Sequence, residues 1–274
     1  LHKAALLACG ILPYEKAEEE QDLQSYLAAL GGGIYLSTKV EGVPKGSGLG
    51  TSSILAGACA KALLAFVGCS VTENALFDIV LCMEQIMSTG GGWQDQAGGM
   101  TDGVKMITSK PGIRQILHLD RIVIPPKARE ELNERFAIVY TGQRRLARNL
   151  LRDVVGNYIG GRKESVEALS AMKITAEKMR RALEKGDIDE LAHLFNEHWK
   201  LSLQLDEGAS NLCIEQIFMV IEDLIDGKFI AGAGGGGFLQ IIMKKGVTKE
   251  QVNERLSEMF QGTGTAVWDS QLIF

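Results

Sequence analysis

Three glycines alternate through the turn at residues 46–50, and three hydroxyl residues, Thr51, Ser52 and Ser53, follow them directly. Because glycine takes backbone conformations that other residues avoid, successive N–H groups of such a turn can point toward one anion. The small and apolar residues that follow predict a helix over 51–67, and the first turn of a helix carries unpaired N–H donors and partial positive charge. The stretch therefore predicts a phosphate-binding turn; the alternative is a turn that Ser and Thr only cap.

Two acidic residues further along the chain could act together with a bound phosphate. Glu84 lies in an apolar segment, where a carboxylate costs free energy unless it is paired or binds a metal. Mg²⁺ binds oxygen ligands and keeps several waters, so one hydroxyl and the Glu84 carboxylate suffice as protein ligands. Asp95 lies between two glycine clusters, which predict irregular structure and close approach to a ligand. The alternatives are a solvent-facing helix residue for Glu84 and a turn residue that bonds its own backbone for Asp95.

A second glycine-rich loop, at 231–237, lies between two predicted strands. Its consecutive glycines, among them Gly234, Gly235 and Gly236, cost backbone entropy and therefore suggest a place where a side chain would collide with a neighbour. The alternative is a flexible hairpin tip.

Four further residues are candidates for contact with a substrate. Arg144 and Arg148 follow a predicted strand, lie one helical turn apart, and suit bidentate contacts with phosphate or carboxylate. Gly92 and Trp93 precede Asp95, and the indole ring of Trp93 can stack on the face of a sugar. Surface arginines and a core tryptophan are the alternatives.

These motifs resemble those of the GHMP kinases. PKGSGLGTSS at 44–53 is similar to the second motif of that family, and AGAGGGGF at 231–238 is similar to the third. TGGGWQDQAGG at 89–99 and VYTGQRRLARNLL at 139–151 are similar to the kinase domain of the L-fucokinases within that family. The resemblance implies an α+β, two-lobe fold, with a ribosomal S5-like N-terminal ATP-binding lobe over 1–158 and a ferredoxin-like C-terminal lobe over 159–274.

The resemblance also implies a reaction, the transfer of the γ-phosphate of ATP to the anomeric hydroxyl of L-fucose to give L-fucose 1-phosphate. Ser52 aligns with the metal-binding serine of the family and would hold Mg²⁺ together with Glu84. Asp95 would be the catalytic base, because its spacing from Glu84 matches that of mevalonate kinase-like members. The residues implied to bind ATP are Gly46, Ser47, Gly48, Leu49, Gly50, Thr51, Ser52, Ser53, Gly234, Gly235 and Gly236.

Two other functions stay open. A heptose 7-phosphate kinase acting on D-glycero-D-manno-heptose 7-phosphate is one, because that branch of the family shares the GWQDQ pattern. The other is a nucleotide-binding module without catalysis, which intact Ser52, Glu84 and Asp95 argue against.

The first motif of the family has no counterpart in residues 1–30. The resemblance therefore implies an N-terminal lobe without its first strands, whose exposed sheet edges favour association into a homodimer. Many fucokinase relatives carry a guanylyltransferase half, so fusion to or association with such a domain is a further expectation.

Composition excludes several classes of protein. A net charge of −5 and a pI near 5.5, with no clustered Lys or Arg, exclude a nucleic-acid partner. The most apolar run, 54–69, contains Lys61 and is shorter than the roughly 20 residues of a membrane span, so no membrane contact is expected. The five cysteines include no CxxC pair and predict reduced thiols. We expect a cytoplasmic protein whose partners are ATP and a small sugar.

Periodicity and capping residues predict the remaining elements, in an order that favours a sheet with helices on one face. Helices are predicted at 2–9, 17–30, from a Ser70–Glu73 capping box to Met87, 144–155, 164–185, 188–205, 210–227 and from Thr248. Strands are predicted at 34–40, 113–119, 121–124, 136–141, 228–231, 237–243 and 265–274.

Overall fold

The chain divides into two compact units. The computed structural model describes residues 1–13, 23–88, 90–112, 115–144, 148–232 and 234–274. The first unit contains residues 1–42, 50–101 and 109–118, and the second contains residues 43–49, 102–108 and 119–274. The lobe boundary expected after residue 158 stays a prediction.

Helices and strands alternate irregularly along the described residues, which confirms the predicted α+β class. The helices are α1 (His2–Ala8), α2 (Leu23–Ala29), α3 (Thr51–Phe66), α4 (Glu73–Ile86), α5 (Gln94–Gly99), α6 (Pro126–Arg135), α7 (Arg148–Ile159), α8 (Lys163–Lys185), α9 (Ile188–Leu205), α10 (Leu212–Val220) and α11 (Lys249–Met259). The strands are β1 (Lys105–Ser109), β2 (Leu117–Arg121), β3 (Phe136–Thr141), β4 (Ile225–Ile230), β5 (Phe238–Met243) and β6 (Thr265–Val267).

Small residues on α3 determine how the first unit packs. Ala56, Cys59 and Ala60 lie on its buried face and contact α1 and α4 in one core. Because helix axes approach more closely where the contacting side chains are small, α4 can bring Val80 and Met83 into the same core. This packing fixes the start of α3 beside the C-terminal half of α4.

The predicted strand at 34–40 is wrong, since these residues form no strand in the described structure. Their exposure nevertheless alternates: Ile34 and Leu36 are half-buried against the core of the first unit, whereas Tyr35 is 93% exposed. The alternating pattern therefore identified the face that packs. A strand also needs a hydrogen-bonded neighbour, and the pattern does not specify one.

The second unit contains an antiparallel sheet with the strand order β4-β5-β3-β6. Tyr140 of β3 lies opposite Phe238 of β5 in its register. Leu239 and Ile241 of β5 pack with α10 and α11, whereas Ile242 packs with α6 and α9. The expectation of helices on one face is therefore wrong, because apolar side chains of β5 are buried on both faces of the sheet.

Two helix ends lie where the sequence predicted them, because a single residue fixes each one. Gly186 takes a left-handed φ of +74° and ends α8, as predicted. Thr248 forms a capping box with Gln251 at the start of α11.

Other caps differ from the prediction by one or two residues. Thr72, not Ser70, caps α4, and its hydroxyl accepts a hydrogen bond from the Ala75 N–H at 3.3 Å. Asn211, not Ser210, caps α10, which ends at Val220 because β4 already begins at Ile225.

Several elements were missed or shifted. Sequence reasoning missed α5, α6 and β1, and it extended β6 beyond Val267. The helix predicted from residue 144 begins at Arg148, and a single strand, β2, replaces the two predicted at 113–124. Residues 113 and 114 and the predicted start of α2 at 17–22 lie outside the described residues. Among the described helices, none is long and apolar enough to cross a membrane.

Arg135 ties the end of α6 to three other parts of the second unit. Its side chain is 3% exposed and donates to Glu131 and Asp189 at 2.6 Å and to Asp226 at 2.8 Å. Its Nε also donates to the carbonyl of Met243 at 2.8 Å. A buried guanidinium is tolerated only when it is paired in this way.

Replacing Arg135 by Met should lower the free energy of unfolding by about 1–3 kcal/mol, because the Met243 carbonyl and three carboxylates lose their donor. Chemical denaturation measures this loss. Arg180→Met, which removes an exposed pair with Glu184, is the matched control and should cost much less. Equal losses for the two variants would contradict a special role for Arg135.

Arg135→Met should also change how the free energy of unfolding depends on pH. Hydrogen bonds from Lys245 and Arg135 lower the pKa of Asp189 below its usual value. The stabilisation from this group is present above the ordinary aspartate pKa and is lost as the pH falls through the lowered pKa. The difference in unfolding free energy between wild type and Arg135→Met should therefore narrow below pH about 4.

Candidate active site

The start of α3 and Asp95 lie together in the first unit. Gly50 precedes α3 with a left-handed φ of +66°, and Thr51 to Ser53 form the first turn of the helix, as predicted. A Cβ atom at Gly50 would lie 3.0 Å from the Cβ atom of Asp95. Only glycine therefore allows both the turn and this close approach.

Glu84 is buried on α4, as its apolar surroundings predicted, and is 7% exposed. Its Oε1 accepts a short hydrogen bond from the hydroxyl of Ser53, which is also buried. Ser52, the serine expected beside Glu84, is exposed. The structure thus brings Ser53 to the carboxylate, while a metal-binding role for Ser52 stays a prediction.

The glycine cluster before Asp95 touches the same carboxylate. A Cβ atom at Gly91 would lie 1.7 Å from Oε2 of Glu84, a distance that no side chain allows. Gly91 has no left-handed φ, so the glycine is required by the contact and not by the backbone conformation. Glu84 is therefore enclosed between the first turn of α3 and the turn that leads to Asp95.

Asp95 lies in the first turn of α5, where a carboxylate interacts favourably with the helix dipole. The prediction of irregular structure here is wrong, because the glycines lie at the two ends of a short helix rather than throughout it. Asp95 is exposed, so its carboxylate can meet a substrate.

Gly92 and Trp93 line an open cleft of about 920 Å³ in the first unit. Its lining includes apolar residues of α4, Phe77 and Leu81, and polar residues of the same helix, Asn74, Asp78 and Gln85. Trp93 is half-buried, so part of its ring is accessible. A cleft lined by polar residues and an aromatic ring suits a sugar, which has both hydroxyls and an apolar face.

The two glycine-rich motifs meet within the second unit. Ser47 is fully buried, and its carbonyl accepts a hydrogen bond from the N–H of Phe238 at 3.1 Å. A Cβ atom at Gly237 would lie 2.2 Å from that carbonyl oxygen. Thr141, at the end of β3, donates its hydroxyl to the carbonyl of Gly237 at 3.0 Å. The prediction that a side chain in the second loop would collide with a neighbour is therefore confirmed at Gly237.

The rest of the second loop is held by the turn after α9. A Cβ atom at Gly234 would lie 2.4 Å from Ala209, and the N–H of Gly235 donates to the Ala209 carbonyl at 2.8 Å. Asn211 donates to the carbonyl of Gly235 at 3.2 Å. Gly236 has a φ of +146°. These contacts fix the backbone conformation of the described part of the loop, which is therefore not a flexible hairpin tip.

The predicted pair Arg144 and Arg148 is not confirmed. Arg144 is exposed and precedes α7, so it shares no helical face with Arg148, the first residue of that helix. Arg145 and the side chain of Arg148 lie outside the described residues.

The sequence predicted Ser53 only as an ATP-binding residue and missed its hydrogen bond to Glu84. A usable signal was present, because Ser53 shares the buried face of α3 with Ala56 and Ala60 at helical spacing, and a buried hydroxyl needs a partner. In the described residues no group of three His, Cys, Asp or Glu side chains could hold a metal ion by itself. The Ser53 hydroxyl and the Glu84 carboxylate are oxygen donors of the kind that a hard cation prefers, and such a cation keeps several of its waters.

Two models of one protein family match this chain, one in each half. Residues 18–103 match the GHMP kinases N terminal domain, and residues 179–262 match the GHMP kinases C terminal domain.

The curated proteins of similar sequence include a plant enzyme and a bacterial enzyme. The bifunctional fucokinase/GDP-fucose pyrophosphorylase of Arabidopsis thaliana is 38% identical over 258 residues, which cover 94% of this chain and 23% of that protein. The D-glycero-alpha-D-manno-heptose 7-phosphate kinase of Campylobacter jejuni is 30% identical over 200 residues, which cover 72% of this chain and 58% of that protein. This chain thus spans less than a quarter of the plant protein's length.

A solved structure shows the same fold. Phosphomevalonate kinase of Streptococcus pneumoniae, in complex with phosphomevalonate and AMPPNP, superposes with a TM-score of 0.69 over 99% of this chain and 80% of that chain. The two sequences are 17% identical, so this likeness concerns the fold alone.

Gly91→Ala should lower the free energy of unfolding by about 1–3 kcal/mol, because the new methyl group collides with the Glu84 carboxylate and displaces it. Gly92→Ala is the matched control, since nothing lies within 4 Å of its Cβ position. Chemical denaturation of both variants measures the difference. A Gly91→Ala variant as stable as Gly92→Ala would show that Glu84 does not lie against this turn.

Proposed function

Because this chain belongs to the GHMP kinase family, we propose that it is an ATP-dependent sugar kinase, and that its substrate is L-fucose, which it phosphorylates at the anomeric hydroxyl. The observation that carries the proposal is the contact of Asp95 and Glu84 with the start of the phosphate-binding helix. Gly50 contacts Asp95, and Ser53 is hydrogen-bonded to Glu84. A base candidate and a metal-ligand candidate thus both lie at one helix N-terminus.

The nucleotide phosphates would be held by backbone N–H groups. The turn at 46–50 and the first turn of α3 offer such donors. Within the second unit, Gly234, Gly235 and Gly236 are proposed separately as phosphate-binding residues. Helix N-termini and left-handed glycine turns both favour bound anions. Glu84, with Ser52 or Ser53, would hold Mg²⁺, which supplies charge neutralisation for phosphoryl transfer when it is bound.

Asp95 would accept the proton of the attacking hydroxyl. The sugar oxygen forms a bond to the γ-phosphorus, the bond from that phosphorus to the β–γ bridging oxygen breaks, and ADP leaves. The exposure of Asp95 supports this role, since a base must reach its substrate. Its contact with Gly50 supports in-line placement of the hydroxyl beside the phosphate-binding turn.

L-fucose is proposed because the similarity to the Arabidopsis fucokinase extends over 94% of this chain. The cleft beside Trp93 supports a sugar, because its lining combines the indole ring with polar side chains such as Asn74 and Gln85. A heptose 7-phosphate is the second candidate, favoured by the similarity to the Campylobacter enzyme. Fusion to or association with a nucleotidyltransferase domain is also proposed, since the plant relative is bifunctional and much longer.

Asp95→Asn should keep nucleotide binding and lower kcat by about 10²- to 10⁴-fold, because the amide cannot accept the hydroxyl proton. Sugar-dependent ADP release measures kcat, and the change in melting temperature with Mg²⁺ and AMPPNP measures nucleotide binding. L-fucose and D-glycero-D-manno-heptose 7-phosphate should be offered side by side.

The outcomes separate the alternatives. Turnover on L-fucose that disappears in the variant would support the fucokinase proposal, and turnover only on the heptose would move it to the second candidate. Nucleotide binding without turnover on either sugar would make the protein a binding module. A variant with wild-type kcat would remove Asp95 from the role of base.

A further inference from the structure

The side chain of Gln96 is fully buried, one residue after Asp95. Within the described ranges, neither its amide oxygen nor its amide nitrogen has a hydrogen-bond partner. Buried amides in folded proteins are nearly always bonded, and each unsatisfied group costs stability. Both ends of this side chain lack a protein partner among the described residues, so the amide can still donate and accept a hydrogen bond.

Gln96 lies on the face of α5 that meets α3. Gly99 and Met100 follow it by three and four residues and therefore flank it on that face. The Cβ position of Gly99 is 2.5 Å from Cδ1 of Ile54, and the sulfur of Met100 is 2.1 Å from the Cβ position of Gly57. The Gln96 amide is thus enclosed where α5 packs on the first turns of α3.

Gln96 lies beside the proposed reaction centre. Asp95, its neighbour, packs against Gly50 at the start of α3. A glutamine amide both donates and accepts, so a group that also does both, a hydroxyl or an ordered water, can satisfy the nitrogen and the oxygen. Nucleotide and sugar bring such groups to the start of α3.

We propose that Gln96 is a positioning residue for Asp95. Its amide gains hydrogen bonds when nucleotide and sugar are bound, and these bonds hold the first turn of α5, and with it the Asp95 carboxylate, in the orientation that the reaction needs. This inference rests on the proposed function. Gln96 contacts neither the reacting hydroxyl nor the phosphates. It acts by positioning its neighbour Asp95.

Gln96→Met tests the proposal, because methionine has a similar shape and no amide. Gln94→Met is the matched control, since Gln94 also adjoins Asp95 on α5 but is exposed. The whole chain is used for both. Melting temperature is measured without ligand and with Mg²⁺, AMPPNP and L-fucose, and steady-state kinetics give kcat and KM for ATP and for the sugar.

We expect Gln96→Met to melt at the wild-type temperature or above it without ligand, because an unsatisfied amide is removed. Its ligand-induced rise in melting temperature should be smaller than that of the wild type. Its kcat should fall at least about 10-fold, because the placement of Asp95 is affected, and KM should rise in step with the smaller ligand-induced shift. Gln94→Met should match the wild type in every measurement.

Two results would overturn the proposal. A lower melting temperature of free Gln96→Met would show that the amide is already bonded and is purely structural. A wild-type kcat and a wild-type ligand-induced rise would show that the amide does nothing in the bound state. If the wild-type protein turns over no sugar, the proposed function fails, but the melting comparison with Mg²⁺ and AMPPNP still decides the role of Gln96.

Discussion

The buried carboxylate of Glu84 is a constraint on which the first unit depends. A charge in an apolar core must be compensated; the Ser53 hydroxyl donates a hydrogen bond to this carboxylate, and the backbone at Gly91 lies against it. The first contact ties α4 to the start of α3, and the second ties it to the turn before α5. Because Asp95 follows that turn, the position of the proposed base depends on the way one carboxylate is enclosed.

Backbone contacts play the corresponding part in the second unit. The Ser47 carbonyl accepts a hydrogen bond from Phe238, and Thr141 donates to the carbonyl of the adjacent Gly237, although these segments are far apart along the chain. The glycine at 237 is needed because the Ser47 carbonyl occupies the space of a side chain. Phosphate-binding motifs of this kind work through backbone N–H groups, so their function depends on close packing of the main chain rather than on particular side chains.

Sequence reasoning was accurate where one residue or a long periodic stretch decides the outcome. The boundaries of α9 and the end of α8 at Gly186 are examples, since amphipathic spacing and a left-handed glycine are local properties. It failed at residues 34–40 and at β1, because strand formation depends on a neighbour elsewhere in the chain. It also failed for α5, where the flanking glycines obscured one helical turn and a half.

The sequence by itself determined the family, the glycine-rich turns that we propose bind phosphate, and the two acidic candidates, because spacing along the chain is enough to recognise a glycine-rich turn or a charge in an apolar segment. Only the tertiary structure decided that Ser53 rather than Ser52 meets Glu84, and that Gly91 must lack a side chain. Neighbouring residues on a helix point about 100° apart, so the choice between Ser52 and Ser53 depends on how α3 is rotated against α4. That rotation is set by the packing of the whole core and not by the motif.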